Sequence, residues 1–366
     1  MKAVWILSVF AAASAACNRG EPAQRAQPLP KTEAPAKREL TQVERHGAEL
    51  YARMCAVCHG AAGEGYKADQ APAIGLPDFL GSATDQFLHL AIANGRKGST
   101  MSAWGKQHGG PLAAPDVVAL IAYMRSWSAR PRLALDERPI RGDAARGERL
   151  FERECVRCHG ARGQDGPNVR LGDRQLLASA SNGFLRQAIR HGRPPTTMPA
   201  YATALGDQGI EDAIAFLRSI HARAPAAEPP AARRPPPIPL GPVPLHPKGP
   251  QPVGFKAHPE TTKVDVVHAQ LRRRARMALL DARAPSDYTN EHIAGAVSVP
   301  FYDPSPYLAA LPKDAWLVCY CACPHAESRT LTQKLLDAGF TKVTVLDEGL
   351  SVWKARNYPV RAGVEP

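Results

Sequence analysis

Two copies of the sequence Cys-X-X-Cys-His, at residues 55–59 and 155–159, constrain this chain more than any other feature. This spacing is the attachment signature of haem c. On a short helix the two-residue gap places both sulfurs on one side, where each can form a thioether to a haem vinyl group, and the adjacent histidine can reach the iron. The sequence therefore predicts two covalently bound haem c groups, held by Cys55, Cys58, Cys155 and Cys158, with His59 and His159 as iron ligands.

The two motifs lie in an internal repeat. Residues 47–51 (GAELY) precede the first motif as residues 147–151 (GERLF) precede the second. Downstream, residues 91–96 (AIANGR) match residues 188–193 (AIRHGR). Each copy then has a Met-containing loop and ends in a helical pattern with an aromatic residue. Each unit is therefore predicted to be helical, with a Gly-rich loop after its motif.

Residues 41–223 resemble two tandem class I cytochrome c domains, at 41–129 and 141–223. The resemblance implies all-α domains in which a methionine from a later loop is the second axial ligand. Met101 and Met198 stand in such loops, at equivalent positions of the repeat. With both axial positions filled the iron has no open site for a substrate, which indicates electron transfer.

Other residues could take parts of these roles. Core packing is the commoner fate of a methionine. Three histidines are alternative axial ligands: His89, His108 and His191. This family often has a proline carbonyl that accepts from the proximal histidine, and Pro167 in the second unit and Pro72 or Pro77 in the first are the candidates. Four aromatic residues are predicted to pack on the haems: Tyr51, Trp104, Phe151 and Tyr201.

The N-terminus has the pattern of an export signal. The apolar run at residues 3–13 follows a lysine and is too short to span a membrane. Residues 14–17 (SAAC) resemble a bacterial lipoprotein cleavage box, although that family usually has Leu where this chain has the serine. The resemblance implies a signal peptide at 1–17, acylation of Cys17 and a lipid anchor on a periplasmic membrane. The alternative is ordinary cleavage near Ala15 or Ala16, which would give a soluble exported protein. Residues 18–40 are predicted to be a tether.

The C-terminal third has a different pattern. Residues 224–252 hold twelve prolines, which predicts an extended linker over 224–258. From 259 to 366 helical and strand patterns alternate, which is typical of an α/β domain with a parallel sheet. The predicted helices are 264–276 and 331–338, and the predicted strands are 277–281, 317–320 and 343–346.

Residues 259–366 resemble a rhodanese (sulfurtransferase) domain. The residues that carry the resemblance are 280–283 (LDAR), 287–288 (DY), 292–297 (HIAGAV), 320–321 (YC), 338–340 (AGF), 345–349 (VLDEG), Trp353 and 358–360 (YPV). The resemblance implies a cysteine at the end of a central strand, in a loop whose backbone N–H groups surround its sulfur. Such a thiolate accepts a sulfane sulfur as a persulfide and passes it on.

Cys321 occupies the nucleophile position of that family. The family loop commonly runs Cys-X-X-Gly-X-Arg-Ser, whereas residues 321–329 read CACPHAESR, with proline in place of the glycine and a longer loop. Cys323 to Arg329 also spells Cys-X5-Arg, the pattern of relatives that act on oxyanions, so Cys323 is the alternative nucleophile or a resolving thiol. A strained disulfide between the two cysteines and a catalytically inactive docking fold are further alternatives. Cys319 is predicted to be buried and inert.

The composition is basic, with 46 Lys and Arg against 34 Asp and Glu and a formal net charge of +12. The chain has no recognisable nucleic-acid-binding motif, so no nucleic acid partner is predicted. The excess charge is predicted to form a spread, solvated surface or to dock an acidic redox partner.

These features predict an exported dihaem c-type cytochrome coupled to a rhodanese-like domain that binds or transfers sulfane sulfur. The predicted partners are periplasmic or membrane redox proteins and sulfur compounds such as thiosulfate or polysulfide. In the alternative, the chain is an electron-transfer subunit of a respiratory complex and the rhodanese fold is only a docking module. A thiosulfate dehydrogenase is disfavoured, because those enzymes carry an unusual haem ligand and neither unit offers an obvious cysteine for it.

Overall fold

The computed structural model describes residues 38–66, 68, 71–223, 243, 246–322 and 325–366. The predicted signal peptide with Cys17, most of the tether, much of the Pro-rich linker, and Cys323 lie outside these residues. The described chain is divided here into a first repeat unit (41–129), a second repeat unit (141–223) and a C-terminal domain (259–366). Within these described parts, no helix combines the length and the apolar character that crossing a membrane requires.

The first repeat unit is helical. Its helices are α1 (Gln42–Met54), α2 (Ala56–His59), α3 (Pro77–Ser82), α4 (Asp85–Asn94) and α5 (Ala114–Ser126). A capping box starts α1: the Glu44 N–H donates to the Thr41 hydroxyl at 3.3 Å, and the Thr41 N–H donates to the Glu44 carboxylate at 2.8 Å. This cap fixes where the helix that leads into the first motif begins.

The second repeat unit has the same order of helices. They are α6 (Ala144–Glu154), α7 (Val156–His159), α8 (Arg174–Ser179), α9 (Asn182–His191) and α10 (Ala202–Arg223). Asp143 caps α6 by accepting from the Arg146 N–H at 2.7 Å. The backbone of α10 is kinked at Gly206, where φ is 59°.

A glycine lets the first and last helices of each unit approach closely. A Cβ on Gly47 would lie 2.0 Å from the Ala119 carbonyl oxygen, and a Cβ on Gly147 would lie 1.9 Å from the Asp212 carbonyl oxygen. No side chain fits at such distances, so the glycine shared by the two repeats is required where α1 packs on α5 and α6 packs on α10. This packing fixes the helix that leads into each motif against the last helix of its own unit.

The C-terminal domain alternates strands and helices, as predicted. Its strands are β1 (Thr261–Thr262), β2 (Met277–Asp281), β3 (His292–Ile293), β4 (Ala296–Ser298), β5 (Trp316–Tyr320), β6 (Val343–Leu346) and β7 (Val360–Arg361). Its helices are α11 (Val264–Arg272), α12 (Pro285–Asn290), α13 (Ala326–Asp337) and α14 (Gly349–Ala355).

The main sheet has the order β1-β6-β5-β2-β4, and every neighbouring pair in it is parallel. The short strands β3 and β7 pair antiparallel. Every residue of β2 and β6 is buried, as expected for a parallel sheet covered on both faces. The predicted fold class, helical domains followed by an α/β domain with a parallel sheet, is confirmed.

Two predicted helices have different bounds in the structure. The helix predicted for 264–276 ends at Arg272, because Arg274 has a φ of 53° and leaves the helical region. The helix predicted for 331–338 begins earlier, at Ala326. The earlier start brings the first turn of α13 next to the cysteine loop.

The last part of the predicted linker already contacts the C-terminal domain. The Arg276 N–H donates to the Pro250 carbonyl oxygen at 2.8 Å, and the His258 N–H donates to the Val343 carbonyl oxygen at 3.0 Å. The Phe255 and Trp316 rings meet edge to face at 5.4 Å. The proline content predicts a linker up to residue 258, but the residues just before 259 pack against the C-terminal domain.

Candidate functional site

The first Cys-X-X-Cys-His motif forms the junction between α1 and α2. Cys55 lies between the two helices, and its N–H donates to the Tyr51 carbonyl oxygen at 2.9 Å, while Cys58 and His59 lie on α2. Both cysteines are half-buried and His59 is buried. One short segment therefore presents two thiols and an imidazole together.

A backbone carbonyl orients the His59 ring. Its Nδ1–H donates to the Pro72 carbonyl oxygen at 3.0 Å, so Pro72 takes the role for which Pro72 and Pro77 are the sequence candidates. Burial lowers the pKa of His59 and favours the neutral ring. With the proton on Nδ1, the lone pair is on Nε2, which is the form that binds a metal.

The second motif repeats this arrangement with one change. Cys155 and Cys158 are half-buried, and the Nδ1–H of His159 donates to the Val169 carbonyl oxygen at 2.8 Å. The prediction that Pro167 supplies this carbonyl is therefore wrong. The accepting residue is 10 positions after the histidine here and 13 positions after it in the first unit, so the shorter loop brings a different residue to the ring.

Met101 and Met198 lie in loops with the same backbone hydrogen bond. The Arg96 N–H donates to the Met101 carbonyl oxygen at 2.9 Å, and the Arg193 N–H donates to the Met198 carbonyl oxygen at 3.0 Å. Both methionines are half-buried. The two residues therefore occupy equivalent places in the fold.

Two other residues named in the sequence have partners inside the first unit. The Tyr51 hydroxyl donates to the Gly60 carbonyl oxygen at 2.8 Å, directly after the motif. His108, one of the alternative axial ligands, is buried, and its Nε2 lies 2.9 Å from Asn94 Oδ1. The structure thus gives His108 a partner within the protein.

Arg96 and Arg193 are functional candidates that the sequence motifs do not reveal. Burial lowers the pKa of both guanidinium groups, that of Arg193 to about 10. The Nη1 of each is buried and has no hydrogen-bond partner among the described residues. A buried cationic donor without a partner suits an anionic group such as a haem propionate. The available signal was the Gly-Arg pair shared by both copies.

The two repeat units face each other across these arginines. The Phe87 and Phe184 rings lie 4.9 Å apart between centroids, and the Arg193 guanidinium donates to the Ser82 hydroxyl at 3.3 Å. Asp173 of the second unit opposes the lowering of the Arg96 pKa, and Asp78 of the first unit does the same for Arg193. The candidate pockets of the two units therefore adjoin one interface.

The candidate sulfur site lies where β5 ends. Cys321 directly follows β5 and is buried, and its Sγ lies 3.4 Å from the Ser328 hydroxyl in the first turn of α13. The N–H groups of a first helical turn lack intrahelical partners and favour a nearby anion. Cys319 is fully buried within β5, as expected, and burial raises the pKa of its thiol to about 12. Its inertness stays a prediction.

Two contacts hold the loop around Cys321. The Leu350 N–H at the start of α14 donates to the Cys321 carbonyl oxygen at 2.9 Å. On the other side of the loop, His325 Nε2 lies 3.1 Å from Asp347 Oδ1, and the His325 backbone has a left-handed φ of 83°. No sequence pattern predicts the contact between His325 and Asp347, because the two residues lie in segments that follow two different strands, β5 and β6.

Comparison with protein families finds two family models, which match three regions of the chain. Residues 42–124 and 142–217 match the model described as "Cytochrome C oxidase, cbb3-type, subunit III". Residues 264–356 match the rhodanese-like domain model. The two cytochrome matches fall on the two repeat units, and the third falls on the C-terminal domain.

Two curated relatives are each similar to part of this chain. The cbb3-type cytochrome c oxidase subunit FixP of Bradyrhizobium diazoefficiens is 30% identical over 192 residues, which is 50% of this chain and 62% of FixP. This chain therefore spans less than two thirds of that relative. The thiosulfate sulfurtransferase GlpE of Stutzerimonas stutzeri is 30% identical over 91 residues, which is 25% of this chain and 82% of GlpE.

Among solved structures, the rhodanese-like domain of the Anabaena Alr3790 protein is 28% identical, with a TM-score of 0.27 over 28% of this chain and 80% of that one. A chain of the Kuenenia stuttgartiensis reducing HAO-like protein complex is 22% identical, with a TM-score of 0.34 over 50% of this chain and 97% of that one.

Proposed function

The C-terminal domain belongs to the rhodanese-like family, and from its position behind two cytochrome c regions we propose that this chain is a dihaem electron-transfer protein coupled to sulfane sulfur chemistry. The observation that carries the proposal is the duplicated donor set. Each repeat unit presents two half-buried cysteines, a histidine fixed by a carbonyl, and a half-buried arginine whose buried Nη1 has no hydrogen-bond partner among the described residues. These residues fit haem c in both units.

The chain's own residues hold and tune each group. Cys55, Cys58, Cys155 and Cys158 would attach haem c, His59, His159, Met101 and Met198 would ligate its iron, and Arg96 and Arg193 would bind its carboxylates. When bound, haem c supplies one-electron redox chemistry. With a histidine and a methionine both holding the iron, each unit would supply electron transfer and would offer a substrate no open position on the iron.

The proposed setting is the bacterial periplasm, with Cys17 acylated and the protein anchored to a membrane. The proposed partners are periplasmic or membrane redox proteins. Arg153 lies two residues before the second motif and pairs with the neighbouring Glu154 at 2.7 Å, whereas Arg157 lies inside the motif; both side chains are exposed. Exposed positive charge of this kind supports docking of an acidic partner and faster association with it.

Cys321 is the proposed sulfur carrier. Its thiolate attacks the outer sulfur of thiosulfate, a bond forms between Sγ and that sulfur, and the sulfur–sulfur bond of thiosulfate breaks, releasing sulfite with the electron pair. This step transfers a sulfur atom without external oxidant or reductant. The first turn of α13 and the Ser328 hydroxyl stabilise the negative charge on the sulfur.

The test of coupling is reduction of the holoprotein by sulfur compounds. We expect thiosulfate or polysulfide to reduce the oxidised haems in the wild-type protein, which their visible spectrum follows. The electron donor is the outer sulfur of the Cys321 persulfide, which takes up a hydroxyl group from water and releases one proton and two electrons, one for each haem. The variant carrying both Cys321→Ala and Cys323→Ala should slow this reduction by at least about tenfold, because its loop has no thiolate. Cys319→Ala is the matched control and should react like the wild type. Unchanged sulfur-dependent reduction in the double variant would contradict the coupling.

The proposed axial methionines have a separate spectroscopic test. A thioether favours ferrous iron, so Met101→His and Met198→His should each lower the reduction potential of one haem. A shift on the order of 0.1–0.3 V is expected, within the roughly 0.8 V range that axial ligands span. Redox titration of each single variant measures it. Met124→Leu, at a buried position of α5, is the control and should leave both potentials in place.

A second candidate function is an electron-transfer subunit of a terminal oxidase, with the rhodanese-like domain as a docking module. The match of the repeat units to the cbb3-type subunit III model, together with the similarity of this chain to FixP, favours it. The two candidates differ in one observable, since only the first requires sulfur transfer at Cys321.

A further inference from the structure

We propose that the C-terminal domain is the built-in docking partner of the first repeat unit. It covers the face made by the Met101 loop and α2, which the second unit leaves open at the equivalent residues, and it thereby fixes the Met101 loop. The inference rests on the proposed function, in which Met101 is a haem ligand and α2 is part of the haem attachment motif.

The Met101 loop makes two contacts with the C-terminal domain. The Ser102 hydroxyl donates to Asp287 Oδ2 at 2.5 Å, and the Trp104 and Tyr302 rings lie 5.7 Å apart between centroids. Ser102 is only 3% exposed and Trp104 is buried. A hydrogen bond to a carboxylate is stronger than one between neutral groups, so Asp287 holds the residue next to Met101 in place.

The attachment helix is covered by the same domain. α13 packs against α2, and Arg53, at the end of α1, lies 3.9 Å from the carboxylate of Asp303. Val57, between the two cysteines of the motif, is half-buried against the apolar core. The exposed ion pair contributes little by itself, but it places opposite charges on the two sides of the contact.

The second unit shows what this face is like without a cover. Pro199 and Ala200, which correspond to Ser102 and Ala103, are exposed. Arg157, which corresponds to Val57, is exposed as well. The two copies therefore differ in residue type on this face. Under the C-terminal domain the first unit has Val57 and Ser102, whereas the second unit has the exposed Arg157 and Pro199 at the same positions.

The contact also relates the sulfur site to one particular unit. Cys321 Sγ lies 3.4 Å from Ser328 on α13, and α13 is the helix that packs on α2. The candidate sulfur carrier and the first attachment helix therefore contact the same helix. The candidate sulfur site therefore lies on the side of the C-terminal domain that contacts the first repeat unit. The equivalent face of the second unit stays accessible to other proteins.

Hydrogen exchange of the holoprotein, measured by mass spectrometry without any sulfur compound, tests the docking. In the wild type, peptides covering 101–104 should exchange at least about tenfold more slowly than peptides covering 198–201. The variant carrying Asp287→Ala and Asp303→Lys should raise exchange at 101–104 to the level of 198–201, because it removes the acceptor of Ser102 and places a positive charge beside Arg53.

Glu260→Lys is the matched charge control. Its side chain is exposed and precedes β1, at the sheet edge opposite β4, so it should leave both loops unchanged. Exchange in β2 and β5 reports whether the variant is still folded. Equal exchange of the two wild-type loops, or slow exchange at 101–104 in a folded double variant, would overturn the docking.

This result is independent of the proposed function. If the loops exchange alike while thiosulfate still reduces the haems, only the docking is wrong. If the first loop is protected but no sulfur compound reduces the haems, the docking holds and the coupling to sulfur is wrong.

Discussion

Replacing Cys321 with alanine is expected to lower thiocyanate formation from thiosulfate and cyanide by at least about a thousandfold, as the loss of a catalytic nucleophile does in other enzymes. The proposed persulfide forms on Cys321 Sγ, which lies beside Ser328 in the first turn of α13. Alanine keeps the backbone bond from the Leu350 N–H to residue 321 and removes only the thiol. Colorimetric assay of thiocyanate measures the activity.

Three variants locate the nucleophile within the cysteine group. Cys319→Ala should retain activity, because that thiol is buried in β5 and its raised pKa keeps it protonated. Cys323→Ala should retain most activity if Cys321 is the nucleophile, and the reverse pattern would assign the role to Cys323. A wild-type protein that forms no thiocyanate would favour the docking-module candidate.

Replacing Arg283 with methionine is expected to destabilise the C-terminal domain by about 3–5 kcal/mol, the usual effect of removing one partner of a buried ion pair. Arg283 Nε donates to Asp281 Oδ1 at 2.9 Å and Nη2 donates to Oδ2 at 2.6 Å, and both residues are buried. Nη2 also donates to the Glu291 carbonyl oxygen at 2.6 Å. Without the arginine, the Asp281 carboxylate is left buried and without a cation.

Urea denaturation followed by tryptophan fluorescence measures this loss of stability. Asp281→Leu combined with Arg283→Met should recover much of it, because the double change removes the buried charge together with its partner. Lys256→Met, which breaks the exposed pair with Glu260, should leave the free energy of unfolding almost unchanged. A loss below about 1 kcal/mol in Arg283→Met would mean that Asp281 is not held as described.

The repeat shows how one sequence unit can reach two different surroundings. Gly47 and Gly147 solve the same packing problem in both copies, and Arg96 and Arg193 have the same buried, unpartnered Nη1. The faces around the motifs differ, because only the first is covered by the C-terminal domain. We therefore expect the two units to bind the same haem group but to contact different protein surfaces.

Much of the fold follows from local sequence pattern. β2 and β6 have their predicted bounds, because a run of apolar residues between turn signals is a strong signal for a buried strand. The start of α13 was predicted five residues late, since CACPHAE carries no apolar periodicity. The end of α11 was predicted late as well, because the left-handed backbone at Arg274 has no glycine or proline to announce it.

The sequence by itself determined the cofactor class and the candidate sulfur site, because the residues of Cys-X-X-Cys-His and of Tyr320-Cys321 are adjacent in the chain and can be recognised without the fold. Only the tertiary structure decided which carbonyl orients each histidine, with Val169 in place of Pro167. It also decided that the Nη1 atoms of Arg96 and Arg193 are buried beside one interface, and that the C-terminal domain contacts the first unit through Ser102 and Asp287. These contacts join residues far apart in the chain, and their geometry depends on loop lengths and on how complete domains pack, which no local spacing encodes.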